Sequence, residues 1–231
     1  MRTPTQPDSP RHSPRRYDST GRRARAAATQ VEVVVAAHDL FVAKGYAATT
    51  IGDIATAAGV SAPTIFAAFG TKAGILKRCI DVALAGDPAD VAVADRPLSQ
   101  WVYESDDAIE LLGRYATMMG VLAKRAAPIY DVLVRAADSD PDLQALLGDL
   151  ERQRHRAAGM VADAVVKRGA LAPGRTAKYA RDTIWLLNDP TTYTKLTGQR
   201  GWSHSQYVSW ARDSLIKMLL EAPTSGAPPR P

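Results

Sequence analysis

Apolar residues return every three or four positions through most of this chain. Strict apolar–polar alternation between turn signals is not evident, so the pattern predicts an all-α fold. The first periodic stretch covers roughly Arg25 to Lys44, with Val33, Val34, Ala37, Leu40 and Phe41 as its inward stripe and Gly45 as its stop. Two short helices follow, Ile51 to Ala58 and about Ala62 to Phe69. A fourth opens at Lys72 and reaches about Ala85, where Gly86-Asp87-Pro88 ends it.

The starts of the short helices are signalled locally. Thr50 with Asp53 three residues on is a capping-box pattern, Gly59 supplies the sharp turn, Ser61 is a good N-cap with Pro63 in the first turn, and Thr71 caps the fourth helix. Ile54, Ala55 and Ala58 share one apolar face. Ile65, Phe66 and Phe69 are expected to pack inward, which turns Ala62, Pro63, Thr64, Ala67 and Ala68 outward. Two short helices across a tight glycine turn are how a chain seats one helix in the major groove of DNA.

The second half keeps the same period. Residues 106–126 carry Ile109, Leu112, Ala116, Met119 and Leu122 on one face, and Pro128 is expected to begin a separate helix to about Ala137. Asp140-Pro141 starts a long helix to about Arg168, striped by Leu143, Leu146, Leu147, Leu150, Ala157, Val161, Ala164 and Val165 and interrupted by the polar run 152–156. Residues 174–198 form a further helical region broken near Pro190. The last helix opens with Trp202, Ser203, Gln206 and Tyr207 as staple and capping box. Its stripe of Tyr207, Trp210, Ala211, Ser214, Leu215 and Met218 must be buried on its own domain or on a partner copy.

Charge is unevenly placed. The chain has a net charge of +5, of which residues 1–24 hold +4, with six arginines against two aspartates. Four prolines in that segment deny it a packed core, so it reads as a flexible basic arm, with Arg15, Arg16, Arg22, Arg23 and Arg25 as candidate phosphate contacts. The domains expected are the arm (1–24), a helical unit (25–86), a connection (87–104), a second helical unit (105–222) and a disordered tail (223–231). Apolar runs fall short of the ~20 residues that span a bilayer, and a cytoplasmic location is expected. The single cysteine, Cys79, reads as a small core residue.

Chemistry is sparse. His12, His38, His155 and His204 show no metal-ligand spacing, and no nucleophile elbow, Walker loop or dinucleotide fingerprint occurs, so neither a metal nor a cofactor is expected. Asp138-Ser139-Asp140-Pro141-Asp142 has Leu143 where a calcium loop needs glycine, and helix capping explains it better. Trp101, Tyr115, Met118, Met119, Tyr130, Trp185, Asn188 and Tyr193 are candidates for lining a pocket between helices.

Residues 33–46 together with 49–76 resemble the DNA-binding domain of TetR-type regulators in both motif order and spacing. Trp185 to Tyr193, followed by Gly201-Trp202 and an amphipathic final helix, looks like the C-terminal domain of actinobacterial-type members. The resemblance implies an N-terminal three-helix helix-turn-helix domain followed by a helical effector-binding and dimerisation domain. It implies a repressor that binds a palindromic operator as a homodimer and is released by a small apolar or amphipathic ligand. Ser61, Ala62, Pro63, Thr64, Ala67 and Ala68 would lie at the groove, with Thr50 and Lys72 at phosphates. Gly52, Ala67 and Ala68 are smaller than the residues common at those positions, so direct base readout should be sparse, and either shape and methyl contacts specify the operator or the arginines of the arm recover the affinity. The alternative is a helical enzyme or ligand-binding protein that keeps a non-functional helix-turn-helix.

Overall fold

The computed structural model describes residues 19–89 and 91–221, with side chains from Ala24 onward. Among the described residues the chain forms α-helices and no strand. The helices are α1 (Ser19–Lys44), α2 (Ile51–Ala58), α3 (Ala62–Phe69), α4 (Lys72–Ala85), α5 (Pro97–Tyr103), α6 (Ala108–Ala137), α7 (Pro141–Lys167), α8 (Ala177–Leu187), α9 (Pro190–Tyr193) and α10 (His204–Leu219). A π turn, Thr194–Gln199, links α9 toward α10.

Local capping explains why the short helices begin where they do. Thr50 Oγ1 accepts from the Asp53 amide at 3.0 Å while the Thr50 amide donates to Asp53 Oδ2 at 3.0 Å. This reciprocal box satisfies two donors that an eight-residue helix could not pair internally. Gly59 adopts φ 66°, the left-handed conformation that lets α2 stop and α3 depart at once. Ser61 Oγ caps α3 through the Thr64 amide, and Thr71 Oγ1 caps α4 through the Gly74 amide.

One apolar core joins the first four helices to the middle of the chain. Val33, Ala37, Phe41, Ile54, Ile65, Ile75, Leu76 and Ile80 are buried together with Ile129, Leu133, Leu143 and Leu146 of α6 and α7. Each of the larger side chains contributes ~1.5–3 kcal/mol by leaving water, so α6 and α7 are part of what holds the first four helices. A second core packs Leu111, Leu112 and Tyr115 of α6 against Ala158 and Val161 of α7, Ile184 of α8, and Ala211 and Leu215 of α10.

Several expectations need correction. Helix α1 starts at Ser19, not Arg25, so the end of the expected arm is helical. Its Ala24–Lys44 portion, with mean hydropathy 1.3, is by itself long and apolar enough to cross a membrane, contrary to the reading of the apolar runs. Yet its Val33, Val34, Ala37 and Phe41 stripe packs into the core. Pro128 lies within a continuous α6. Its ring is exposed, so the unpaired Lys124 carbonyl reaches water while buried Ala126, Ala127, Ile129 and Tyr130 hold the helix on either side. The connection 87–104 contains α5, which packs on α6. It is fixed by Arg96, whose guanidinium grips Asp87 at 2.6 and 3.1 Å and donates to the Ala89 and Val91 carbonyls. Ile109, expected inward, is 48% exposed. Asp140 caps α7 through the Asp142 and Leu143 amides, as capping requires.

Candidate DNA-reading face and effector cavity

Helix α3 is two turns long, so only one narrow strip of it can face the core. Ile65 takes that strip and is fully buried. Phe66 is one residue on, rotated by about a quarter turn. It is 52% exposed, contrary to the inward packing expected of it. The outward surface of α3 therefore consists of Pro63, Thr64, Phe66, Ala67 and Ala68, with Ala62 half-buried. Ser61 is exposed and its Oγ lies 2.8 Å from Thr64 Oγ1.

Thr50 is exposed at the start of α2, where free backbone N–H groups and the helix dipole favour an anion. Asp53 stands beside it, held below the usual carboxylate range first by the Thr50 amide, so it remains ionised there. Lys72 is partly committed inside the protein. Its Nζ donates to the Tyr46 carbonyl at 2.9 Å and the Thr49 carbonyl at 3.0 Å, and lies 4.1 Å from the Tyr46 ring centroid. Of three ammonium donors one is left for a phosphate. Among the arm residues, Arg25 is exposed on α1. Arg22 and Arg23 fall in the first turns of α1 with side chains outside the described residues, and Arg15 and Arg16 lie outside them altogether.

A cavity of about 230 Å³ lies between α5, α6 and α7 and beneath the α8–α9 junction. Of the residues expected to line a pocket, Tyr115, Met118, Tyr130 and Asn188 do so, whereas Trp101, Met119, Trp185 and Tyr193 are not on its wall. Met119 is core. Trp101 stacks under the Arg114 guanidinium, and Tyr193 packs edge-on to Tyr207. Sequence reasoning missed Ser99 and Tyr103, which come from the unforeseen α5. It also missed Leu84 at the end of α4, as well as Leu122, Ala126 and Arg154.

Behind one wall of the cavity runs a closed polar network. Glu151 Oε1 accepts from the Tyr130 hydroxyl at 2.5 Å and from Arg154 Nη1 at 2.6 Å, and its Oε2 accepts from Trp185 Nε1 at 3.1 Å. Arg154 spends its remaining reach on the Trp185 carbonyl at 2.8 Å and the Asn188 carbonyl at 3.2 Å. Burial, and then Glu151, hold the Tyr130 phenol well above its usual range. Tyr115 is the exception to this satisfaction. It is 1% exposed, it lines the cavity, and its hydroxyl has no hydrogen-bond partner.

The residues expected to meet a partner copy divide. Tyr207, Ala211 and Leu215 are buried inside the protomer, against α6 and its neighbours, so they belong to its own core. Trp210 and Ser214 are half-buried, and Met218 is 43% exposed. Leu186 on α8 is 65% exposed. A second, more open apolar groove of about 500 Å³ lies between α1 and α4; of its lining residues only Val34 is buried. Among the described residues no group of three or more His, Cys, Asp or Glu side chains is placed to hold a metal.

These features match known proteins in two ways. The family model for bacterial regulatory proteins of the tetR family matches residues 33–79, which is α2 and α3 with the adjoining parts of α1 and α4. The chain is 32% identical over 76 residues to the HTH-type transcriptional repressor BdcR of Escherichia coli K12, a span of 32% of this chain and 39% of that relative's length. In fold, it is similar to a TetR-family transcriptional regulator from Mesorhizobium loti MAFF303099, with TM-score 0.63 and 21% identity over 84% of this chain and 96% of the other. It is likewise similar to the transcriptional regulator FadR from Bacillus subtilis in complex with stearoyl-CoA, with TM-score 0.61 and 18% identity over 82% and 97%. With residues 33–79 matched in sequence and the helical remainder matched in fold, the chain is similar to the tetR family of bacterial regulatory proteins.

Proposed function

We propose that this chain is a transcriptional repressor acting in the cytoplasm, which occupies a palindromic operator as a homodimer and leaves it when a small apolar or amphipathic ligand fills the cavity. The observation that carries the reading is the exposed surface of α3, set off by the Gly59 turn and capped by Ser61. Residues 25–86 form the DNA-binding unit in this reading, and the helices beyond the α4–α5 connection hold ligand and partner. Phe66, Pro63, Ala67 and Ala68 can meet thymine methyls, and Thr64 can exchange a hydrogen bond with a base edge. Thr50 and Lys72 would hold phosphates, with Arg15, Arg16, Arg22, Arg23 and Arg25 adding charge. Trp210, Ser214 and Met218, with Leu186, supply the face for a second copy, whose two-fold axis would put two α3 helices about one DNA turn apart.

Coupling would run through α4. Leu84 of its last turn lines the cavity, and the Leu84 carbonyl accepts from Arg125 Nη2 of α6 at 3.2 Å. A ligand that binds better when α4 is displaced would weaken operator binding by that difference in affinity. No catalytic step is assigned.

Titration of the full chain against the DNA upstream of its own gene tests the DNA half. Salt-sensitive, sequence-selective binding is expected, and Phe66→Ala should weaken it about fivefold with the melting temperature unchanged. Absence of selective binding to any genomic fragment overturns the reading.

A further inference from the structure

We infer that the outer face of α1 is a self-association surface, on which α1 of a second copy of this chain packs antiparallel about a two-fold axis. It lies on a different helix from the α8 and α10 residues proposed above to meet a partner, and it does not depend on the operator or cavity readings.

Helix α1 carries two apolar stripes. Val33, Val34, Ala37 and Phe41 fill the core. Ala24, Ala28, Val31, Val35, His38 and Val42 follow one another at spacings that alternate between four and three, the repeat by which the side chains of two helices interdigitate. All of these are exposed except His38, which is half-buried, and Val35 is 56% exposed. At about 100° per residue the outer stripe lies about 140° round the axis from the buried one, so a helix laid along it leaves the rest of each molecule on the outside. From Ala24 to Ala43 the charged residues are Arg25, Glu32 and Asp39, whose spacing of seven puts them on one narrow line. A helix with so little polar surface is ordinarily covered on more than one side.

The other flank of the stripe borders the open groove of about 500 Å³, which Val82, Pro88 and Ala89 line together with Val31, Val34 and Val35. Its charged residues are already engaged, Arg78 with the Pro88 carbonyl and Asp87 with Arg96. Covering the groove therefore strands no charge.

Reversed, the stripe is complementary to itself. With the axis near Val33, Ala24 faces Val42 of the other copy, Ala28 faces His38 and Val31 faces Val35, so each alanine meets a larger residue. The same reversal sets Arg25 beside Asp39 of the other copy, twice over by symmetry. Both are exposed, and Asp39 contacts its neighbour His38 at 3.2 Å. Glu32 meets its own counterpart at the solvent edge, where salt screens the repulsion. A parallel pair would stack Ala24 on Ala24 and give Arg25 and Asp39 no opposite charge. A membrane suits the face less, because two of the three charges beside it are anions that anionic headgroups repel.

Sedimentation of the full chain at micromolar concentrations, without DNA, tests the surface. Val35→Glu should halve the assembled mass and raise the dissociation constant about 100-fold, since each interface holds Val35 twice. Arg25→Asp and Asp39→Arg should each weaken association about fivefold, and the two together should restore it. Orientation is read by oxidising a mixture of Ala24→Cys chains and Val42→Cys chains, each also carrying Cys79→Ala. Cross-links should join the two kinds and not either kind to itself. A mass unchanged by Val35→Glu, a double charge reversal that stays weak, or Ala24→Cys chains linked to one another would each overturn the inference. So would vesicles of phosphatidylglycerol that bind the wild type but not Val35→Glu while the mass stays the same, which would make the face a lipid surface. Association seen only after residues 1–18 are removed would assign the face to those residues instead. A wild type that is a dimer and becomes a monomer in Val35→Glu upholds this surface and removes the α8 and α10 face from the proposed homodimer; a tetramer that falls to a dimer upholds both.

Discussion

The Lys72 ammonium donates to the backbone carbonyl of Tyr46 at 2.9 Å while lying over the ring of the same residue. The first residue of α4 is thereby tied to the turn between α1 and α2. Charged hydrogen bonds of this kind are worth ~1.5–3 kcal/mol. Lys72→Met should lower unfolding free energy by about 2 kcal/mol in denaturant titration, while Lys77→Met, an exposed partner of Asp81 on the same helix, should change it little. Equal losses in both would remove the clamp from the account.

Glycines on two helices should respond with opposite signs. At Gly120 an added Cβ would stand 2.5 Å from Val208 Cγ2 and 3.1 Å from His204 Cε1, so Gly120→Ala should push α10 off α6 and cost ~1–3 kcal/mol. At Gly52 the added atom meets only Thr50 Oγ1 at 3.6 Å. Gly52→Ala should raise stability by ~0.5–1 kcal/mol through helix propensity alone. Thermal melts of the two variants give the comparison, and a shared direction would contradict it.

Alkaline pH should unfold the protein within a definable window. Burial pushes Tyr207 from 10.0 to about 12 and Cys79 from 9.0 to about 12. Tyr46 also reaches about 12, by burial first and then by the neighbouring Asp140 carboxylate. Raised folded-state values favour the protonated forms. Their contribution to stability is therefore full below the unfolded values and is lost as pH rises from about 9 toward 12. Denaturant midpoints should hold steady to about pH 9 and then fall, and Cys79 should resist thiol reagents until unfolding. A thiol that reacts at neutral pH in the folded protein would contradict its burial.

Helix α1 begins six residues ahead of Arg25, which makes Arg22, Arg23 and Arg25 parts of one helix. If all three meet phosphates, the slope of log K against log salt should become shallower by about 2.7 in the triple alanine variant, at ~0.9 per contact. An unchanged slope would remove them from the DNA contact set.

What could be read in the sequence was what neighbouring residues decide among themselves. The boxes at Thr50–Asp53 and Ser203–Gln206 are each confined to four residues, and both form. Phe66 was misread because a two-turn helix offers too few positions to fix which of Ile65 and Phe66 faces in; packing against α2 and α4 decides it. Pro128 was misread because a proline's local cost is outweighed by the contacts of the residues around it. Glu151 and Arg154 lay in a polar run that looked like an interruption of α7. Their partners, Tyr130, Trp185 and Asn188, sit 21 to 34 positions away and on other helices, where no local pattern reaches. Ser99 and Tyr103 were hidden for a related reason, since the seven residues of α5 are too few to display a period.

Because Ile75, Leu76 and Ile80 of α4 share a core with Ile129, Leu133 and Leu143, the proposed DNA-binding unit has no inner surface entirely its own. Cutting the chain after Ala85 would lay those side chains open to water. The two ends of the molecule should therefore melt in one transition, and a ligand settled among α5, α6 and α7 would protect α3 from unfolding even while weakening the operator binding proposed for it.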